Sequence, residues 1–88
     1  MATNVNVTPS EILPQAGADS SGVKFKKIDS VAKAAQNDTV TVLGATAVEV
    51  VSAIDDTTGA FETHTVSGNV ITLTSATTGA KTLYVLSN

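Results

Sequence analysis

The chain has no cysteine, no tryptophan and no arginine, and its 88 residues include only three aromatic rings and two prolines. Without cysteine, a disulfide framework and thiolate zinc sites are excluded. A domain of this size buries roughly 60–65% of the surface that its unfolded chain exposes. Small domains without covalent staples commonly gain the missing burial by oligomerising or by docking on a larger surface. The five cations are all lysine, set against eight carboxylates for a formal charge of −3. The missing arginine and the acidic balance argue against a nucleic-acid partner, which is normally met by a basic, arginine-bearing face. No apolar run approaches the roughly 20 residues that cross a bilayer, so no membrane partner is expected. The start, Met1-Ala-Thr-Asn-Val-Asn-Val7, shows neither a charged n-region nor an apolar h-region. The expectation is a protein without a signal peptide, made in a cytoplasm and used as made.

What the chain does have is threonine, valine and turn residues in a regular order. Thr-Thr-Gly-Ala occurs twice, at Thr57–Ala60 and Thr77–Ala80, and frames Phe61–Val66, a Ser67-Gly-Asn69 turn and Val70–Thr74. That order predicts turn, strand, tight turn, strand, turn, with both repeats at one end of a sheet and Gly59 and Gly79 in left-handed positions. Thr39–Leu43 alternates cleanly, and Ala47–Ile54 resumes with Val48, Val50 and Ile54 expected on one face. Thr82–Leu86 closes with Leu83 and Val85 inward, while Phe25 and Phe61 are the aromatics expected in the core. Val23–Ile28 alternates until a slip at Lys27-Ile28, expected as a bulge or a strand end. Asp29–Asn37 reads as irregular or as one helical turn, favoured by its alanines.

Before Val23 the pattern changes. Asn4-Val-Asn-Val7 alternates as a short strand or an arm laid along another surface. Thr8-Pro-Ser-Glu11 matches a helix capping box, and Pro14 limits the announced helix to about one turn over Ile12 and Leu13. Gln15–Gly22 reads as a flexible loop. The whole is an all-β chain, a small antiparallel β-sandwich or barrel of about six to seven short strands with an extended N-terminal arm. Residues 1–22 form the arm and loop, and residues 23–88 the β domain.

Catalytic and metal chemistry is not visible. His64 is the only histidine; it reads as a polar residue on the less buried face of a strand, sharing that face with Glu62, more than as a general base. Asp55-Asp56 read as turn caps, since the D-x-D-x-D-G spacing of a calcium loop is missing. Glu49 and Glu62 could pair across strands as acid and base, but nothing in the sequence fixes their separation, and no serine sits in a nucleophile elbow. Lys24, Lys26 and Lys27 read as charges that keep an edge strand from pairing, before they read as a phosphate site. No catalytic residue, metal ligand or cofactor is expected. Tyr84 and Leu86 are expected to face outward beside Val70, as a subunit-contact patch.

The Met-Ala-Thr-Asn-Val start, the Asn4-Val-Asn-Val-Thr-Pro-Ser-Glu-Ile-Leu13 stretch and the Thr/Val/Ala-rich β domain without Cys, Trp or Arg resemble small tailed-phage capsid decoration proteins, of the cement or head-fibre kind. The resemblance implies a non-enzymatic virion structural protein, made in the host cytoplasm and located on the capsid surface. Its partner would be the major capsid protein, contacted through Asn4, Val5, Asn6, Val7, Ile12 and Leu13, with a homo-oligomer, a trimer, as the expected assembly. The alternative is a small β-sandwich binding module of a tail fibre or cell surface that recognises a protein or glycan.

Overall fold

The computed structural model describes residues 2–11 and 24–88. Among them are eight strands and no helix: β1 (Asn4–Val7), β2 (Ser10–Glu11), β3 (Lys24–Lys33), β4 (Asp38–Val42), β5 (Val48–Asp55), β6 (His64–Ser67), β7 (Val70–Leu73) and β8 (Gly79–Ser87). They form two four-stranded sheets, ordered β1-β4-β7-β6 and β2-β3-β8-β5. Every pairing is antiparallel except that of β1 on β4. The two sheets make a sandwich-like all-β fold, as the alternation of stiff β-branched residues requires.

The inner faces follow the period of two. Val40, Val42, Ile71 and Leu73 of the first sheet, and Leu83 and Val85 of the second, are fully excluded from solvent. Ile28, Val31, Val48 and Ala53 complete the second sheet's share. Both Thr-Thr-Gly-Ala turns lie at one end, because Asp55 at the end of β5 stands opposite Lys81 near the start of β8. Gly59 (φ 76°) and Gly79 (φ 111°) take the left-handed conformation there, and the Asp56 N–H donates to the Ala80 carbonyl at 3.0 Å.

Several local expectations are corrected. No helix begins at Pro9: Ser10 and Glu11 are extended and pair with Lys27 and Lys26. The edge of β3 supplies ladder bonds, whereas a single helical turn is a costly nucleus with few bonds. Ile12, Leu13 and the Gln15–Gly22 loop lie outside the described residues. Of the Asp29–Asn37 segment, the part up to Lys33 is strand, and residues 34–37 form an irregular turn. β3 passes a bulge between Ile28 and Val31, later than the expected slip, with Ser30 at φ 52°, and regains its pairing on β8 up to Lys33. Here tertiary pairing overrides the helix preference of the alanines. In β5 a second bulge, between Val50 and Ser52, inverts the alternation. Val48 and Val50 keep the inner side, but beyond the bulge Ala53 and Asp55 take it, and Ile54 is only half-buried. Phe61 is no core residue: it makes a single bridge to Ile54 and is 83% exposed.

Candidate functional site

The end of the sandwich beneath the two Thr-Thr-Gly-Ala turns is closed by charge. Lys33 ends β3, Asp55 ends β5 and Lys81 lies near the start of β8; each shares strand parity with apolar core residues and therefore points inward. Glu62 enters from the segment before β6. Lys81 Nζ lies 2.9 Å from Asp55 Oδ2 and 3.0 Å from Glu62 Oε1, and Lys33 Nζ lies 3.0 Å from Glu62 Oε2. All four side chains are at most 5% exposed. Ser75 completes the set. Its N–H and hydroxyl donate to the two Glu62 oxygens at 3.1 and 2.8 Å, and Lys33 donates to its hydroxyl at 2.8 Å and also to its carbonyl. Two cations meet two anions, so the cluster balances, as a dry interior demands.

The environment sets the protonation. Burial pushes the Glu62 carboxyl up, but bonds from Ser75, Lys33 and Lys81 outweigh it and hold the group at about 2. For Lys81, burial pulls down, and the bonds and charges of Asp55 and Glu62 reverse the sign, so its pKa is raised. The Lys81 bond leads the lowering at Asp55, helped by the Thr57 N–H at 2.8 Å. Asp38, buried nearby, is lowered chiefly by the Thr3 N–H; it accepts from Thr3 at 2.8 Å and from Ala34 and Ala35 at 2.7 and 3.1 Å. The adjacency of Asp55 and Asp56 carries no shared site. Asp55 is committed to Lys81 and Thr57, while Asp56 accepts from Thr82 at 2.6 Å and Ser30 at 3.4 Å.

The N-terminal strand is the outer strand of the first sheet. The Thr39 N–H donates to the Thr3 carbonyl and the Leu43 N–H to the Val7 carbonyl, both at 2.9 Å. In a parallel pair with this register, Thr3, Val5 and Val7 spend their main-chain groups on β4, and Asn4 and Asn6 direct theirs to the opposite, open edge. Val5 and Val7 are half-buried, with Val7 packed on the core. The Asn4 carboxamide oxygen accepts from Thr39 and Thr41 at 2.8 Å each, and its amide donates to Asn6 at 2.9 Å. Among the described residues the strand is thus fastened on one side and unpaired on the other.

The expected patch divides. Tyr84 and Leu86 lie on the outer side of β8, where Leu86 stands opposite Phe25 and Tyr84 opposite Lys27. The Phe25 and Tyr84 rings stack at 6.0 Å, with Lys27 Nζ 5.9 Å from the Tyr84 centroid. Val70 belongs to β7 in the other sheet and is not their neighbour. His64 Nδ1 sits 3.2 Å from the Glu62 carbonyl. Its ring and Glu49 line an open hollow of about 520 Å³ between β5 and β6, but the Glu62 carboxylate is turned away into the buried cluster. Among the described residues no three His, Cys, Asp or Glu side chains converge as metal ligands. The buried cluster was missed by sequence reasoning, although parity with Val31, Ala53 and Leu83 marks three of its members. No family model, curated protein or solved structure matches the chain.

Proposed function

We propose that this chain is a non-enzymatic virion structural protein that decorates a phage capsid through its N-terminal strand. The observation that carries the reading is the edge of β1, open among the described residues, fastened to the domain by β4 and Asp38 and presenting the Asn4 and Asn6 main-chain groups outward. An unpaired edge is a template on which a partner strand adds, with main-chain bonds for affinity and side-chain pockets for specificity. The partner is the major capsid protein, as the sequence resemblance implies.

The test exploits this geometry. Proline at position 6 removes an N–H directed at the open edge and sets its ring there, a position an edge strand tolerates. Purified protein is mixed with undecorated heads, pelleted and imaged by electron microscopy. Wild type is expected in the pellet and Asn6→Pro in the supernatant with an unchanged thermal midpoint. Equal pelleting of the two would overturn the mechanism. Light scattering on the free protein reads the expected trimer.

A second reading rests on the Phe25–Tyr84 stack, which gives the outer face of β8 the aromatic surface that sugar rings favour. Absence from the pellet, together with glycan-array binding lost in Tyr84→Ala, would transfer the proposal to a tail-fibre or cell-surface binding module.

A further inference from the structure

The Lys81–Asp55 contact has the make-up of a reaction centre. The two residues face each other across β5 and β8, with Nζ and Oδ2 2.9 Å apart and both side chains at most 5% exposed. A third group, Glu62 Oε1, touches the same Nζ at 3.0 Å. The other Asp55 oxygen, Oδ1, already accepts the Thr57 N–H at 2.8 Å. Nucleophile, carboxyl, proton carrier and a donor for the developing oxyanion are therefore all in place, shielded from water.

We propose that Lys81 and Asp55 condense into an intramolecular amide that ties β5 to β8, with Glu62 carrying the proton. The Lys81 ammonium passes one proton to the Glu62 carboxylate, a transfer that moves no net charge out of the cluster. The freed amine attacks Asp55 Cγ while the Thr57 N–H holds the charge that gathers on Oδ1. Glu62 returns its proton to Oδ2, a second proton follows from the nitrogen by the same path, and Oδ2 leaves as water. One C–N bond forms and one C–O bond breaks. Nothing is oxidised or reduced, and Glu62 ends as it began.

The four-charge composition fits this outcome. Once Lys81 and Asp55 are a neutral amide, Lys33 and Glu62 remain as a balanced pair 3.0 Å apart. Condensation removes two buried ions without stranding a third, which relieves the desolvation that buried pairs carry. A chain without cysteine thereby gains a covalent staple between strands separated by 26 positions.

The test is the intact mass of the denatured full-length protein, followed by trypsin digestion. The expected mass is that of the sequence less one water. Because an acylated lysine resists trypsin, residues 82–88 should not be released, and fragmentation should join Asp55 to Lys81. A succinimide has the same mass but releases residues 82–88, which would overturn the proposal. So would the full, uncondensed mass, or a link mapped to Lys33 and Glu62. In Glu62→Gln, which cannot carry the proton, the full mass is expected. The wild-type digest decides the matter even where that variant fails to fold.

Discussion

Glu62 shows how far one side chain departs from its local sequence. Flanked by exposed Phe61 and Thr63, it is itself 4% exposed. Its folded carboxyl sits at about 2 against an ordinary 4.5, so between those values the unfolded chain binds more protons than the folded one. Stability there rises with pH. Glu62's contribution is complete above its ordinary value and disappears as pH falls toward 2. Asp38 is also lowered and acts in the same direction, as does Asp55 in a chain whose Lys81 is not acylated. The thermal midpoint should therefore be level near neutrality and fall steeply in acid below pH 4.5. Melts of Glu62→Gln should show a shallower acid limb, and an unchanged limb would remove Glu62 from the account. Lys81, held above its ordinary 10.5, adds stability below that value that is lost as pH rises through its raised value. That alkaline limb belongs only to a chain whose Lys81 is not acylated.

At the scale of elements, the strands were legible because threonine and valine alternate, and their registers less so because bulges leave little mark. Val51 is one more valine in Val48–Ile54, yet its place in a bulge exposes it to 55% and transfers the inner side from Ile54 to Ala53. Strand ends were the least legible. Lys33, Asp38 and Asp55 occupy terminal strand positions at core parity, where a charge is ordinarily assigned to solvent. Their partners come from other elements, up to 42 positions away for Lys33 and Ser75. Asp38 links this end to the arm, since one carboxylate fastens Thr3 and the Ala34–Ala35 turn. An asparagine keeps one acceptor oxygen and turns an amide donor toward N–H groups. Asp38→Asn should accelerate hydrogen exchange at Thr3, or at Ala34 and Ala35, while Val40 and Val42 stay protected. Unchanged exchange at all three would deny Asp38 its fastening role.

For the molecule as a whole, the core is thin because its residues are small. Among the described residues the eleven buried apolar side chains are valines, alanines, two isoleucines and two leucines, with no aromatic among them. Globular domains have about 0.05–0.15 kcal/mol of stability per residue, or roughly 4–13 kcal/mol for this length. Leu73 is fully buried on β7 between β4 and β6, and truncating such a leucine costs about 2–5 kcal/mol through lost transfer energy and the cavity left behind. Leu73→Ala should therefore remove a large share of the total. Phe61 is the larger side chain, but at 83% exposure its truncation should stay within about 0.5 kcal/mol of wild type. Urea unfolding of both variants checks the ordering, which is opposite to side-chain size. A Phe61→Ala loss approaching that of Leu73→Ala would mean that Phe61 is covered in solution. Because the domain has no aromatic core to spare, cover for that ring would have to come from a second surface, and dilution of the protein should then weaken the effect.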